Sequence, residues 1–527
     1  MLFVALAASS LAGAQSQPTA SQTMLIVPFE NASGAPGLEW VGETFPEILG
    51  QRMASGSLYL VGRADRNYAF DRLGIPQNLR PSHATLFRLG EQMDVDYVVM
   101  GRYRFDGRTF TISARLLEMS KLQLRPEVTE SGPLPKLLDL ESALAWDLLR
   151  QLTPNLVTSR NQFVAAAPPV RLDAFENYIR GLLATARQEK IRYFRAALRV
   201  FPSYSAALLE LGKTYYAGRD YKEAAAWLAR LPRADPLARE ANFYLGLALF
   251  YAGDFERAES AFSFVASRLP LTEVYNNLGV AQARRGKKTA LEYFKKAANA
   301  DPTDPDYRFN LGVALSRAGD TAGAQRELRE VLRLRPADTE AKALLATLTG
   351  AAAPAPPRAS PEARLPLERI KRNYDEASFR QLALEIQNQN ELRLAGTDPS
   401  HHAEFHTQRG GQLLEQGLWL EAEREFREAI GLDPTNAAAH TGLARYLEAT
   451  RDYAAARAEA RTALRLEPSV EAFLLLARLD LRDNNPQAAQ ESVNRALVLD
   501  PANAEAQALR RSIAAKLAEK AQPLPPQ

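Results

Sequence analysis

The sequence predicts a multidomain chain: an N-terminal α/β (α+β) domain followed by two all-α superhelical arrays. Three observations carry this. Prolines recur at Pro202, Pro236, Pro270, Pro302 and Pro336, then at Pro434, Pro468 and Pro501, with separations of 34, 34, 32 and 34 and then 34 and 33 residues. A Pro/Ala-rich stretch, GAAAPAPPRASPEARLP from Gly350 to Pro366, divides the two sets. Residues 24–152 ignore the period and alternate strand-like with helix-like runs. A fixed period in this range marks a solenoid, in which each unit buries its apolar face only against its neighbours.

Each repeat carries the same residue types at the same places. The one ending at Pro434 has Gly410, Gly417, Ala422, Phe426 and Ala429. The one ending at Pro270 has Gly246, Gly253, Ala258, Phe262 and Val265, and the one ending at Pro302 has Gly279, Gly286, Ala290, Phe294 and Ala297. The first glycine lets two helices approach closely. The second takes the left-handed conformation that ends a helix. Asp220, Asp254, Asp320 and Asp452 stand where second helices begin and are read as N-caps, with Asp220 and Glu223 forming a capping box. The proline stops the second helix. These residues resemble the tetratricopeptide repeat family over roughly 172–336 and 402–501. The resemblance implies paired antiparallel helices whose first members line a concave groove.

The boundaries read as a signal peptide over 1–14, the α/β domain over 24–152, a first array over 172–349, the linker over 350–366, a second array over 367–520 and a tail over 521–527. Leu344, Leu345 and Leu348 place a closing helix on the first array; Phe379, Leu382 and Ile386 place an entry helix on the second, and Leu509, Ile513 and Leu517 its closing helix. Leu2–Leu11 is an apolar run of secretory length followed by Ala12-Gly13-Ala14, although no basic residue follows Met1. The expected location is periplasmic or exported, with no transmembrane segment.

In the front domain MLIVPFEN reads as a buried strand, Leu38–Met53 as a helix, Leu58–Gly62 as a strand and Thr85–Met93 as a helix. YVVMGRYRF and TFTISARLL flank Asp106-Gly107, a hairpin signal, and Leu137, Leu140, Leu144 and Leu148 make a closing helix. Val27–Asn31, Gly42–Leu49 and Val95–Arg104 resemble the amino-terminal domain of TolB and its CsgG-like relatives. That resemblance implies protein contacts at the cell envelope, although no propeller repeats follow.

Composition narrows the chemistry. A net charge of +3 over 527 residues gives no electrostatic case for nucleic acid, and the absence of cysteine removes disulfides, thiolate nucleophiles and a lipid anchor. Leu211–Thr214 ends like a phosphate loop, but the required earlier glycine is Ala207. His402 and His406 stand one helical turn apart around Ala403, where a zinc protease needs glutamate, and are read as helix packing. Asp301–Asp306 lacks the calcium-loop glycine and is read as an inter-repeat turn. No catalytic residue, cofactor or metal is assigned.

Repeat positions two, five, nine, twelve and thirteen fall on or beside the groove face. In the first array they supply Lys213, Tyr216, Phe243, Phe250, Tyr251, Asn276, Arg284, Phe309 and Arg317; in the second they include Arg445, Arg478 and Arg482. Aromatic, amide and arginine side chains on one concave face suit an extended peptide or helix. A carboxylate clamp is not read here, because Lys213 follows Leu209 and Asn276 precedes Val280 instead of the required pairing. The expected function is a non-enzymatic protein-interaction scaffold of the bacterial envelope. Two alternatives stay open: a self-assembling or regulatory subunit of a secretion or surface-polymer apparatus acting through the front domain, with self-association or an outer-membrane complex as the partner, and an enzyme with a carboxylate site in the front domain.

Overall fold

Two long strands organise the front domain. β4 (Tyr97–Phe105) and β5 (Phe110–Glu118) pair antiparallel from Tyr97↔Glu118 to Phe105↔Phe110. Their connection closes on Asp106, whose carboxylate accepts the N–H groups of Arg108 (2.8 Å) and Thr109 (2.7 Å), while Gly107 takes a φ of 93°. The computed structural model describes residues 22–54, 58–75, 82–154, 159–167, 170–350, 368–376, 378–379, 398–415, 419–450 and 452–521. The apolar run Leu2–Leu11, the hinge glycine Gly417, and Leu382 and Ile386 lie outside them. Residues 22–167 form one unit, and 170–379 with 398–521 another.

In the first unit β1 (Gln22–Ile26) lies parallel between β3 (Leu58–Leu60) and β4, and β2 (Glu30–Asn31) extends along β4. β5 also pairs with β6 (Gln123–Leu124) and β7 (Val128–Gly132), giving a mixed seven-stranded sheet. One face packs Leu25, Val98 and Leu117 against α2 (Arg63–Arg72) and α3 (His83–Gln92). The other meets α1 (Thr44–Met53) and α4 (Leu137–Leu152), where Phe29 stacks on Phe45 at 3.9 Å. A short α5 (Arg160–Ala165) follows.

Sequence reading misses α2, β6 and β7. In α2 only Arg66, Ala69 and Phe70 are buried, so the apolar period is broken by a cation. Arg66 is held there by Glu43, which also accepts from Arg63 at 2.7 Å.

The regular elements of the second unit are helices among the described residues. Its first set runs α6 (Leu172–Leu183), α7 (Arg187–Val200), α8 (Ser205–Ala217), α9 (Tyr221–Leu228), α10 (Ala238–Tyr251), α11 (Phe255–Ala266), α12 (Thr272–Arg284), α13 (Ala290–Ala300), α14 (Pro305–Arg317), α15 (Thr321–Leu334) and α16 (Thr339–Thr349). The second runs α17 (Pro399–Glu415), α18 (Trp419–Leu432), α19 (Ala437–Ala449), α20 (Tyr453–Leu466), α21 (Val470–Arg482), α22 (Pro486–Leu499) and α23 (Ala504–Ala521). No helix among these residues is long and apolar enough to cross a membrane.

The repeat glycines do what their spacing requires. A Cβ on Gly246 would stand 2.7 Å from the Phe262 ring, one on Gly279 2.8 Å from Phe294, and one on Gly410 2.7 Å from Phe426. Each glycine therefore seats the aromatic ring of its own repeat's second helix. Asp254, Asp320 and Asp452 cap their helices by accepting N–H groups at 3.1, 2.7 and 3.1 Å.

The repeat ending at Pro236 departs from this pattern. Asp220 makes no capping bond, because its carboxylate is taken by Arg187. The same guanidinium lies over Gly218, and the left-handed position passes to Arg219, at φ 62°.

Residues 368–376, which the sequence groups with the second array, lie along the first. Their sequence, ERIKRNYDE, has no apolar period from which to build a helix. Its polar and charged groups find partners on the first array's inner face.

Candidate functional site

The inner face of the first array is built by α10, α12, α14 and α16. At its centre stand Asn276, Asn277 and Asn310, all fully buried. A buried amide must be hydrogen-bonded, and here the partner is extended backbone. Asn277 accepts the N–H of Lys371 (2.8 Å) and donates to the same residue's carbonyl (2.7 Å). Asn310 treats Arg369 alike, accepting its N–H at 2.7 Å and donating to its carbonyl at 2.7 Å, to which Asn276 also donates at 2.9 Å. Asn310 donates in turn to Asn276 (2.7 Å), which donates to Asn277 (3.2 Å), so the three amides form one network. Two side-chain amides thus each grip a residue's N–H and C=O, as a neighbouring strand would.

The side chains of the segment are held separately. Arg369 forms a fork on Asp338, with both N···O distances 2.8 Å, reaches Glu340 at 2.8 Å and lies 3.7 Å over the Phe309 ring. Lys371 reaches Asp304 (2.6 Å) and Asp306 (2.9 Å). Glu368 sits between Arg284, at 3.5 Å, and Arg317. Arg372 donates to the Tyr251 hydroxyl (2.8 Å), Tyr374 packs on Phe243 with ring centroids 5.2 Å apart, and Glu376 pairs with Arg239 at 2.8 Å. The segment runs against the order of the repeats, from α16 back to α10.

Electrostatics follow from this packing. Burial would raise the Asp306 pKa, but hydrogen bonds from Lys371 and Arg335 outweigh it and hold the carboxyl at about 2. Burial opposes the charge on Lys371, yet Asp304 and Asp306 raise its pKa. Tyr374 is pushed up by burial and by the carboxylate of Glu376.

Of the groove positions read from sequence, Phe243, Tyr251, Asn276, Arg284, Phe309 and Arg317 meet the segment. Lys213 is held instead between Glu210 (2.9 Å) and Glu240 (2.8 Å). Tyr216 lies among the rings of Tyr221, Tyr244 and Tyr251, and Phe250 packs beside Tyr251 and Phe255. Asn277 and Asn310 were missed. Both occupy the sixth repeat position, one residue past the face assigned to the groove. The repeated Asn-Leu-Gly of Asn277–Gly279 and Asn310–Gly312 was the available signal.

The second array arranges its candidates differently. Arg445 pairs with Glu471 (2.9 Å), and Arg478 bridges Glu448 (2.7 Å) and Glu505 (2.8 Å). Arg482 lies 3.6 Å over Tyr453 and pairs with Asp483. His406 and His440 pack by hydrogen bonds from Nδ1 to Glu425 (2.7 Å) and Glu459 (2.6 Å).

Two places in the front domain hold acids whose pKa values are raised. Glu141 is fully buried against the Thr44 hydroxyl, and burial pushes its pKa to about 8. Asp147 is raised to about 6 by burial and a hydrogen bond with Glu130, beside Arg160. A front-domain pocket is lined by Thr23, Asp65, Tyr68, Arg72 and Gln92, and neither Glu141 nor Asp147 is among its lining residues.

The paired helices, seated aromatics and concave inner face define a tetratricopeptide-repeat solenoid. Tetratricopeptide-repeat models match residues 182–243 and 288–348, and 243–305 and 409–471, so the chain carries these repeats in both arrays. No curated protein matches the chain. Among solved structures, MamA from Desulfovibrio magneticus RS-1 is similar at 20% identity and a TM-score of 0.30, over 32% of this chain and 98% of that one. YrrB, a TPR protein with an unusual peptide-binding site, is similar at 21% identity and a TM-score of 0.31, over 34% of this chain and 92% of that one.

Proposed function

We propose that the protein is a non-enzymatic interaction scaffold whose first array, over residues 172–349, binds extended polypeptide. The observation that carries this is the double grip of Asn277 on Lys371 and of Asn310 on Arg369. Contacts of this kind recognise extended backbone that offers an N–H at both gripped residues, and the flanking acids, arginines and aromatics then select side chains. The groove residues in this reading are Phe243, Tyr251, Asn276, Asn277, Arg284, Phe309, Asn310 and Arg317. Lys213, Tyr216 and Phe250 support their flank. In the second array Arg445, Arg478 and Arg482 offer a more polar face to a different partner.

The chain is exported in this reading. The apolar run before Ala12-Gly13-Ala14 directs it, and the domain over 24–152 docks at the envelope in the manner that the TolB-like and CsgG-like resemblance implies. The experiment is in-cell cross-linking of the full chain and of the Asn277→Leu/Asn310→Leu variant, with N-terminal sequencing of the recovered protein. The expected result is a mature terminus at Gln15 and a defined envelope protein captured only by the native groove. Recovery of the chain alone, cross-linked through residues 24–152, would replace this reading with the self-assembly alternative.

A further inference from the structure

The segment that fills the groove, residues 368–376, belongs to the same chain as the array that holds it. Its attachment is mostly polar: amide pairs on two residues, and ion pairs at Glu368, Arg369, Lys371 and Glu376. Its apolar contribution is limited to Ile370, half-buried against the core of α13 and α14, and the ring of Tyr374 on Phe243. Release would therefore expose mainly charged and amide groups that water hydrates well, together with the rings of Phe243 and Phe309 that Tyr374 and Arg369 cover. Such a contact exchanges at modest cost, unlike a core element.

We infer that Glu368–Glu376 is an intramolecular occupant of the peptide groove, competing with a partner segment of the same chemistry. That segment carries an acid followed directly by a cation, a second cation two residues on, a tyrosine three beyond that and, two further, an acid in the first turn of a helix. This rests on the groove reading above and adds the ligand pattern and its regulation. Asp338, Asp304 and Asp306 select the two cations, Arg284 and Arg317 the leading acid, Phe243 the ring, and Arg239 the final acid. The tether presents the occupant at an effective concentration on the order of millimolar. A partner then binds only the fraction of molecules whose groove is open, and its apparent affinity falls by that fraction.

The test uses a fluorescein-labelled peptide with the sequence of residues 368–376, titrated by anisotropy at fixed salt. It is added to the full chain, to full-chain Arg369→Glu/Lys371→Glu, and to that variant further changed by Asn277→Ala/Asn310→Ala. The charge reversals set two anions of the occupant against Asp304, Asp306 and Asp338 and leave the groove unaltered. The expected result is binding at least about tenfold tighter to the charge-reversed chain than to the native chain, lost again when the asparagines are removed. Tyr374→Ala, a milder change in the occupant, is expected to move affinity the same way by less. Equal binding to native and charge-reversed chains overturns the competition and leaves the groove reading standing. No binding to a charge-reversed chain of native far-ultraviolet circular dichroism overturns both.

Discussion

The two arrays share one repeat frame and satisfy their inner faces by opposite means. In the first, Asn277 and Asn310 are linked through Asn276 and completed by the backbone of Lys371 and Arg369. In the second, Arg478 reaches from α21 to Glu448 on α19 and Glu505 on α23, and Arg445 reaches Glu471 on the next repeat, so neighbouring repeats pair with one another. The frame is set by glycine against aromatic ring; what a groove does is set by whether its polar groups close on themselves. The first inner face takes hydrogen-bond partners from residues 368–376, whereas the second matches its charges between neighbouring repeats.

The contrast is broken most directly at the amides. Asn277→Leu should raise amide exchange at Lys371 by about ten- to a hundredfold, the loss of roughly 1–3 kcal/mol that an abandoned buried hydrogen-bond pair brings, while exchange in the second array stays unchanged. Equal protection in both proteins would mean that the strand is held by its side chains. The shared frame is tested next: Gly410→Ala should destabilise the second array by about 1–3 kcal/mol, because its Cβ would stand 2.7 Å from Phe426. Gly411→Ala, where nothing lies within 4 Å, should stabilise it by about 1 kcal/mol in thermal unfolding.

Acid sharpens the difference between the grooves. Asp306 has its pKa lowered to about 2, so its contribution to docking is complete above the ordinary carboxylate range near 3.8 and is lost as pH falls through 2. Proteolysis after Lys371 or Arg372 by an acid-tolerant protease should therefore stay slow at pH 4 and accelerate towards pH 2. The smallest effect is expected at Arg478→Ala, about 1 kcal/mol or less from partly exposed pairs, with no change in protection of the docked strand.

The period of the prolines made the helices legible, and the glycine–aromatic contacts at Gly246, Gly279 and Gly410 follow from positions read off the sequence alone. The groove face was partly legible. Asn276, Arg284, Phe309 and Arg317 were reached by counting along a helix, but counting placed Asn277 and Asn310 one step off the face. Their asparagine side chains bridge that step to the strand. The docked segment is illegible because its conformation is imposed by partners: ERIKRNYDE has neither a two- nor a 3.6-residue apolar rhythm. In the front domain α2 was hidden for a related reason, since the ion pair of Arg66 with Glu43 substitutes for an apolar contact.

Recognition through the backbone carries a filter of its own. Asn310 and Asn277 each need an N–H from alternate residues of the guest, and proline has none. The stretch just upstream, Gly350 to Pro366, contains Pro354, Pro356, Pro357, Pro361 and Pro366. Any sliding of the chain that sets one of these opposite either asparagine forfeits a bond. A register that places one of these prolines opposite Asn277 or Asn310 is therefore disfavoured by the chemistry of the guest backbone alone.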